Sequence, residues 1–106
     1  MTLLERSILA DFRKRVGQRF PQCEMILFGS RARGDAEPDS DMDVLVVLEG
    51  DADPTADRYV SHCAWEACYE HGIVLSPVVF SRTEWEEGPE RSSLLAIAVR
   101  GEGIPV

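Results

Sequence analysis

The sequence predicts an α/β (α+β) fold: one small mixed β-sheet covered by helices, in the order α-β-β-α-β-α-α. Three observations predict it. Leu4, Ile8, Phe12 and Val16 recur every four residues near the start, the spacing of one helix face. Met42 to Leu48 is an almost continuous apolar run behind a turn-rich segment, which marks a strand buried on both faces. A third apolar run, Ile73 to Phe80, contains Pro77, which cannot donate to a ladder and so belongs at a sheet edge or bulge. At 106 residues, 44% of them apolar, the chain suits a single domain over 1–106 with one core.

The elements follow in order. The first helix is expected from Leu3 to Arg19, with Thr2 and Glu5 at capping-box spacing and Pro21 stopping it. Glu24 to Phe28 reads as a short strand broken by Gly29-Ser30. Arg31 to Asp41 is a polar turn carrying Gly34 and Pro38, and Met42 to Leu48 folds back beside the first strand. Glu49 to Pro54 is a loop. A second helix is expected from Thr55 to His71, with Val60, Cys63, Ala64, Ala67, Cys68 and His71 on its inner stripe and Gly72 ending it. The strand containing Pro77 comes next. Ser81 to Glu84 opens a short helix, Ser92 to Arg100 forms a last one ended by Gly101, and Ile104 to Val106 is a candidate final strand.

Charge and cysteine content exclude some functions. Nineteen acidic against eleven basic residues leave a net charge of −8, a poor electrostatic host for a nucleic-acid backbone. A free nucleotide, which needs one local cationic spot and a metal, is compatible with that charge, and so is a basic protein partner. Cys23, Cys63 and Cys68 are odd in number and lack CxxC spacing, which predicts buried thiols in a reduced cytoplasm rather than a disulfide framework or zinc site. Charge interrupts the first sixteen residues and no stretch is apolar for eighteen, so neither a signal peptide nor a membrane span is expected.

One segment carries chemistry. Gly29-Ser30 follows a buried strand and precedes a helical turn. Glycine lets a phosphate approach the backbone, the following amides are free donors, and Ser30 adds a hydroxyl. A Gly-Ser pair alone is also a common turn. Asp41 and Asp43 stand two apart at the mouth of a strand, so both carboxylates share one face and can converge on one hard cation or on two. Taken alone, they read equally as a solvated turn. Ten residues separate Ser30 from Asp41, enough to fold the phosphate-binding turn and the carboxylates to one end of the sheet.

Gly-Ser-Arg-Ala-Arg-Gly, six residues, then Asp-Met-Asp-Val resembles the signature of the polymerase-β-like nucleotidyltransferase superfamily. It is most similar to the minimal nucleotidyltransferase branch, which includes the antitoxins of HEPN-domain toxins. The signature covers about residues 26–48, and length and element order extend the likeness loosely to the whole chain. The resemblance implies a nucleoside triphosphate, ATP by expectation, bound against Gly29 and Ser30, with Mg²⁺ on Asp41 and Asp43 as the catalytic pair. A nucleophile would attack the α-phosphate and release pyrophosphate. Arg31 and Arg33 are candidate cations beside the phosphates, with a structural salt bridge, to Asp35 for instance, as the alternative for Arg33. The implied role is transfer of AMP to a protein or small acceptor, as antitoxin of a HEPN-type toxin. The alternative is a nucleotide-binding module that neutralises a partner by binding.

The chain departs from the family in one place. Active members carry a third carboxylate on a neighbouring strand, and Ile73 to Phe80 holds no acid. Ser76 stands near the expected position, Glu49 lies at the wrong end, and Glu84 would have to fold back. His62 reads as solvated or partly packed, His71 as closing a helix beside Gly72 where a cationic side chain suits the dipole, and Trp65 and Trp85 as packing residues. Glu84, Glu86, Glu87 and Glu90 read as a solvated helix face. The strand around Pro77 and the last helix are a candidate homodimer surface.

Overall fold

The computed structural model describes the backbone of residues 1–106 and every side chain except that of Glu90, so the expected acidic face falls outside the described residues at that position. The first helix, α1 (Leu3–Gly17), begins at a capping box: Glu5 N–H donates to Thr2 Oγ1 at 3.0 Å and Thr2 N–H to Glu5 Oε1 at 2.7 Å. Its buried side is Ile8, Leu9, Phe12 and Val16. The first position of that side belongs to Glu5, whereas Leu4, expected there, is exposed.

Strand β1 (Glu24–Phe28) leads into a four-residue helix, α2 (Ser30–Arg33), and strand β2 (Met42–Leu48) returns antiparallel to β1, with Phe28 opposite Asp43. Helix α3 (Pro54–Cys68) starts one residue before the expected position, because the Asp53 carboxylate accepts the Ala56 N–H at 2.8 Å and Pro54 suits the first turn. It tightens into a 3₁₀ turn, Tyr69–His71, before Gly72. His71 is exposed, so it leaves the inner stripe, while Val60, Cys63, Ala64, Ala67 and Cys68 are buried as expected.

Strand β3 (Leu75–Ser81) pairs in parallel with β2 and forms the sheet edge, as Pro77 requires. A capping box from Ser81 and Glu84 opens α4 (Arg82–Glu87), and a 3₁₀ turn, Pro89–Ser92, that the sequence did not announce leads to α5 (Leu94–Glu102). Helix α5 runs through Gly101 and ends at Gly103, not at Gly101. A side chain at Gly103 would meet the Val99 carbonyl at 2.4 Å and Ile26 at 2.6 Å, so only glycine lets the chain turn that tightly against β1. Strand β4 (Ile104–Pro105) then pairs antiparallel with β1, giving the sheet order β3-β2-β1-β4.

The main core lies between one sheet face and the helices α1 and α3. Met42, Val44, Val46 and Leu48 project into it, and Phe12, Val16 and Val60 meet them. Leu45 and Val47 project to the other face, where Phe28, Val99 and the half-buried Phe80 and Trp85 pack. Trp65, read as a packing residue, is exposed and stacks on Tyr69 with ring centroids 4.6 Å apart. All three cysteines are buried free thiols, as expected. Among the described residues no helix is long and apolar enough to cross a membrane.

Candidate functional site

The end of β1, the start of β2 and the start of β3 come together at one end of the sheet. Gly29 leaves β1 with φ +81°, a left-handed conformation that disfavours side chains. A Cβ there would lie 2.6 Å from Asp43 Oδ2, so the turn is glycine for two reasons, and its backbone lies directly against the Asp43 carboxylate. The turn folds onto itself: Ala32 and Arg33 N–H donate to the Gly29 carbonyl at 3.1 Å, and Gly34 and Asp35 N–H to the Ser30 carbonyl at 2.9 and 3.1 Å. The amides of Ser30 and Arg31 have no backbone acceptor among the described residues.

Asp41 is exposed and Asp43 is half-buried on the sheet face opposite the main core. Burial, and then the charge of Asp41, push the Asp43 carboxyl above the usual carboxylate range. Asp43 makes no hydrogen bond or ion pair among the described residues, and Asp41 Oδ2 accepts the Ser76 Oγ–H at 3.0 Å. Two like charges held together over a backbone cradle that a Cβ would fill fit a hard divalent ion whose remaining sites go to phosphate and water. They do not make an all-protein metal cage: among the described residues no group of three or more His, Cys, Asp or Glu side chains could hold a metal.

Ser76 stands directly beside Asp43 in the β2–β3 register, where the third carboxylate was expected. The two other acids considered for that place are engaged elsewhere. Glu84 accepts the Ser81 N–H at 2.9 Å, and Glu49 accepts from Arg82 at 3.0 Å at the far end of β2.

The two arginines of the turn part company. Arg31 was expected to face the phosphates. Its guanidinium instead points inward, with 8% of the side chain exposed, and is fully engaged. Nη1 donates to Glu5 Oε2 at 3.0 Å, Nε and Nη2 to the Ser40 carbonyl at 2.9 and 2.7 Å, and Nη2 to the Pro38 carbonyl at 3.1 Å. Arg31 therefore ties α1 to the residue just before Asp41. Arg33 lies at the rim and takes the structural alternative: it pairs with Asp35 at 3.2 Å and with Glu102 at 3.0 Å.

Glu102, from the end of α5, is the residue that sequence reasoning missed. It accepts the Gly29 N–H at 3.0 Å as well as the Arg33 pair. Nothing in a local pattern joins positions 73 residues apart. The other expected bystanders stay apart from the site: His62 pairs with Glu66 on α3, and Trp85 packs on Phe80.

Residues 9–68 match the family described as nucleotidyltransferase domain, and that span holds Gly29, Ser30, Asp41 and Asp43. The chain belongs to that family. It is 46% identical over 50 residues to the protein adenylyltransferase MntA of Thermococcus cleftensis, covering 46% of this chain and 50% of that one. It is 35% identical over 77 residues to a candidate protein adenylyltransferase of Methanocaldococcus jannaschii, covering 69% of this chain and 52% of the relative. The chain thus spans about half the length of the curated relatives it matches. Its fold is shared with the crystal structure of a toxin–antitoxin with AMP-PNP, at a TM-score of 0.61 and 20% identity, over 95% of this chain and 70% of that one.

Proposed function

We propose that this nucleotidyltransferase domain transfers AMP from Mg²⁺-bound ATP to a partner protein, in the cytoplasm, as the antitoxin of a HEPN-type toxin. The observation that carries the reading is the unpaired Asp43 carboxylate lying against the Gly29 backbone, with Asp41 beside it. The names of the relatives support adenylyl transfer to protein, and the toxin–antitoxin neighbour supports a protein partner.

In this reading the amides of Ser30 and Arg31 and the Ser30 hydroxyl receive the phosphates past the bare Gly29 backbone. Asp41 and Asp43 hold Mg²⁺, which when bound neutralises the charge on the transferred and departing phosphoryl oxygens. Arg31 is a positioning residue: by holding the Ser40 carbonyl it fixes where Asp41 begins. Arg33 contributes positive charge at the rim. Ser76 orients Asp41 through its hydroxyl.

A second reading, nucleotide binding without turnover, is favoured by Ser76 in the place of a third carboxylate. One experiment separates the readings. ATP is titrated calorimetrically with and without Mg²⁺ into the wild type and Asp43→Asn, and transfer of label from α-labelled ATP to a co-expressed partner is followed. Magnesium-dependent binding and transfer, both lost in Asp43→Asn, are expected. Binding without transfer establishes the second reading, and binding indifferent to Asp43 overturns both.

A further inference from the structure

The predicted phosphate-binding turn already holds an anion. Glu102 Oε1 accepts the Gly29 N–H at 3.0 Å, and both carboxylate oxygens take Arg33 Nη1, at 3.2 and 3.0 Å. These donors, a turn amide and the exposed cation of the same turn, are the kind a terminal phosphate uses. Glu102 is firmly delivered. The Gly103 N–H donates to the Val99 carbonyl at 2.9 Å, Gly103 sits against Ile26, and Ile104 pairs with Leu27 on the strand that ends at the turn.

We propose that Glu102 is an internal competitor for the phosphate-binding turn: a polyphosphate must displace its carboxylate from Gly29 and Arg33 to bind fully. The proposal rests on the reading that this turn receives phosphates. It assigns Glu102 to setting polyphosphate affinity rather than to bracing the turn, for three reasons. Arg33 has a second acid, Asp35, at 3.2 Å, so it keeps a partner when Glu102 leaves. The contact is partly open to solvent, with 21% of the Glu102 side chain and 47% of Arg33 exposed, so water can help it separate. Finally, Glu102 adds a negative charge at the Gly29 turn, whose backbone already lies against Asp43, in a chain of net charge −8, which opposes an incoming polyphosphate. The α5–β4 segment is held independently by the burial of Ala96 and Val99 and by the strand pairing.

Selectivity follows from charge. A ligand that brings several phosphates can replace the carboxylate on both donors. Adenosine, which brings none, has nothing to gain from its removal.

The test uses inorganic tripolyphosphate with Mg²⁺, and adenosine as control, titrated into the wild type, Glu102→Gln and Glu102→Asp. Glu102→Gln is expected to bind tripolyphosphate about tenfold more tightly, roughly 1.4 kcal/mol, with adenosine unchanged. Glu102→Asp, which keeps the charge and withdraws it by one methylene, is expected to fall between, and it decides the matter if Glu102→Gln fails to fold. The Gly29 amide resonance should shift in both variants without ligand. Equal or weaker tripolyphosphate binding in the variants overturns the proposal, as does its absence from all three proteins. Tripolyphosphate has no nucleotidyl group to transfer, so a gain here stands even if the protein proves to transfer nothing. Conversely, Asp43-dependent AMP transfer with no gain in Glu102→Gln sinks the competitor and leaves the proposed function intact.

Discussion

The two faces of the sheet are built to different standards. Toward α1 and α3, β2 presents Met42, Val44, Val46 and Leu48, all fully buried among Ile8, Phe12, Val16 and Val60. Toward α5, the same strand presents Asp43, Leu45 and Val47, with half-buried Val78, Phe80 and Trp85 beside them. The division runs into the turn itself, where Arg31 is locked beneath by Glu5 and Arg33 stays at the open rim. A pair of repelling carboxylates is a cost to folding. The fold can bear that cost on the second face because the first supplies the packing.

The largest effect expected from breaking this division lies at Glu5, on the closed side. Burial would raise its carboxyl, but the hydrogen bonds from Thr2 and Arg31 outweigh burial and hold it below the usual range. Glu5→Gln leaves the Arg31 guanidinium buried without a counter-charge while keeping a hydrogen-bond acceptor. A loss of about 2–3 kcal/mol is expected near neutral pH. The sign with pH is fixed by the lowered carboxyl: the wild type's advantage is present above the unfolded value of 4.5 and fades as pH falls through the lower folded value. Denaturant unfolding of both proteins across that range checks it. A gap that does not narrow in acid would show that Glu5 acts through shape rather than charge.

The same residue shows where sequence reading stops. Thr2 and Glu5 announced the capping box, because capping is local. That the second Glu5 oxygen holds Arg31 was not legible, because the pair joins positions 26 apart. Pro77 announced the edge strand and the uniform run after Asp43 announced the central one, since each pattern reports its own backbone. Gly29, Ser30, Asp41 and Asp43 were legible as a set because spacing and turn composition bring them together. The sequence could not separate Arg31 from Arg33, two cations in one turn, because the helix decides which one faces inward. Trp65 was legible as a packing residue, but not that it packs outside the core, on the exposed side of its helix against Tyr69 and His62.

A smaller effect of opposite sign is expected at Asp43, on the open side. Neutralising it removes the repulsion with Asp41 and the desolvation of its own charge. Without metal, Asp43→Asn is therefore expected to melt higher than the wild type, by about 2–5 °C for a domain of this size. Magnesium with ATP should stabilise only the wild type and so reverse the order. Thermal melts with and without Mg²⁺ and ATP read this directly. A variant that melts lower in the absence of metal would mean that Asp43 supports the fold and would blur the division between faces.

The smallest effect is expected on the outer side of α5. Ile97 is 59% exposed, whereas Val99, two residues on, is buried against Leu45 and Val47. Val99→Ala should cost about 1–2 kcal/mol through lost burial and the space left behind. Ile97→Ser should change stability by less than about 0.5 kcal/mol, as for other exposed positions. The comparison has a built-in check on whether the second face is open in solution. A second copy of the chain seated on α5 would bury Ile97, give its substitution a cost like that of Val99, and make the melting temperature depend on protein concentration. A small effect at every concentration fits the open face as described. A large effect that grows with concentration would mean that this face is completed by another molecule.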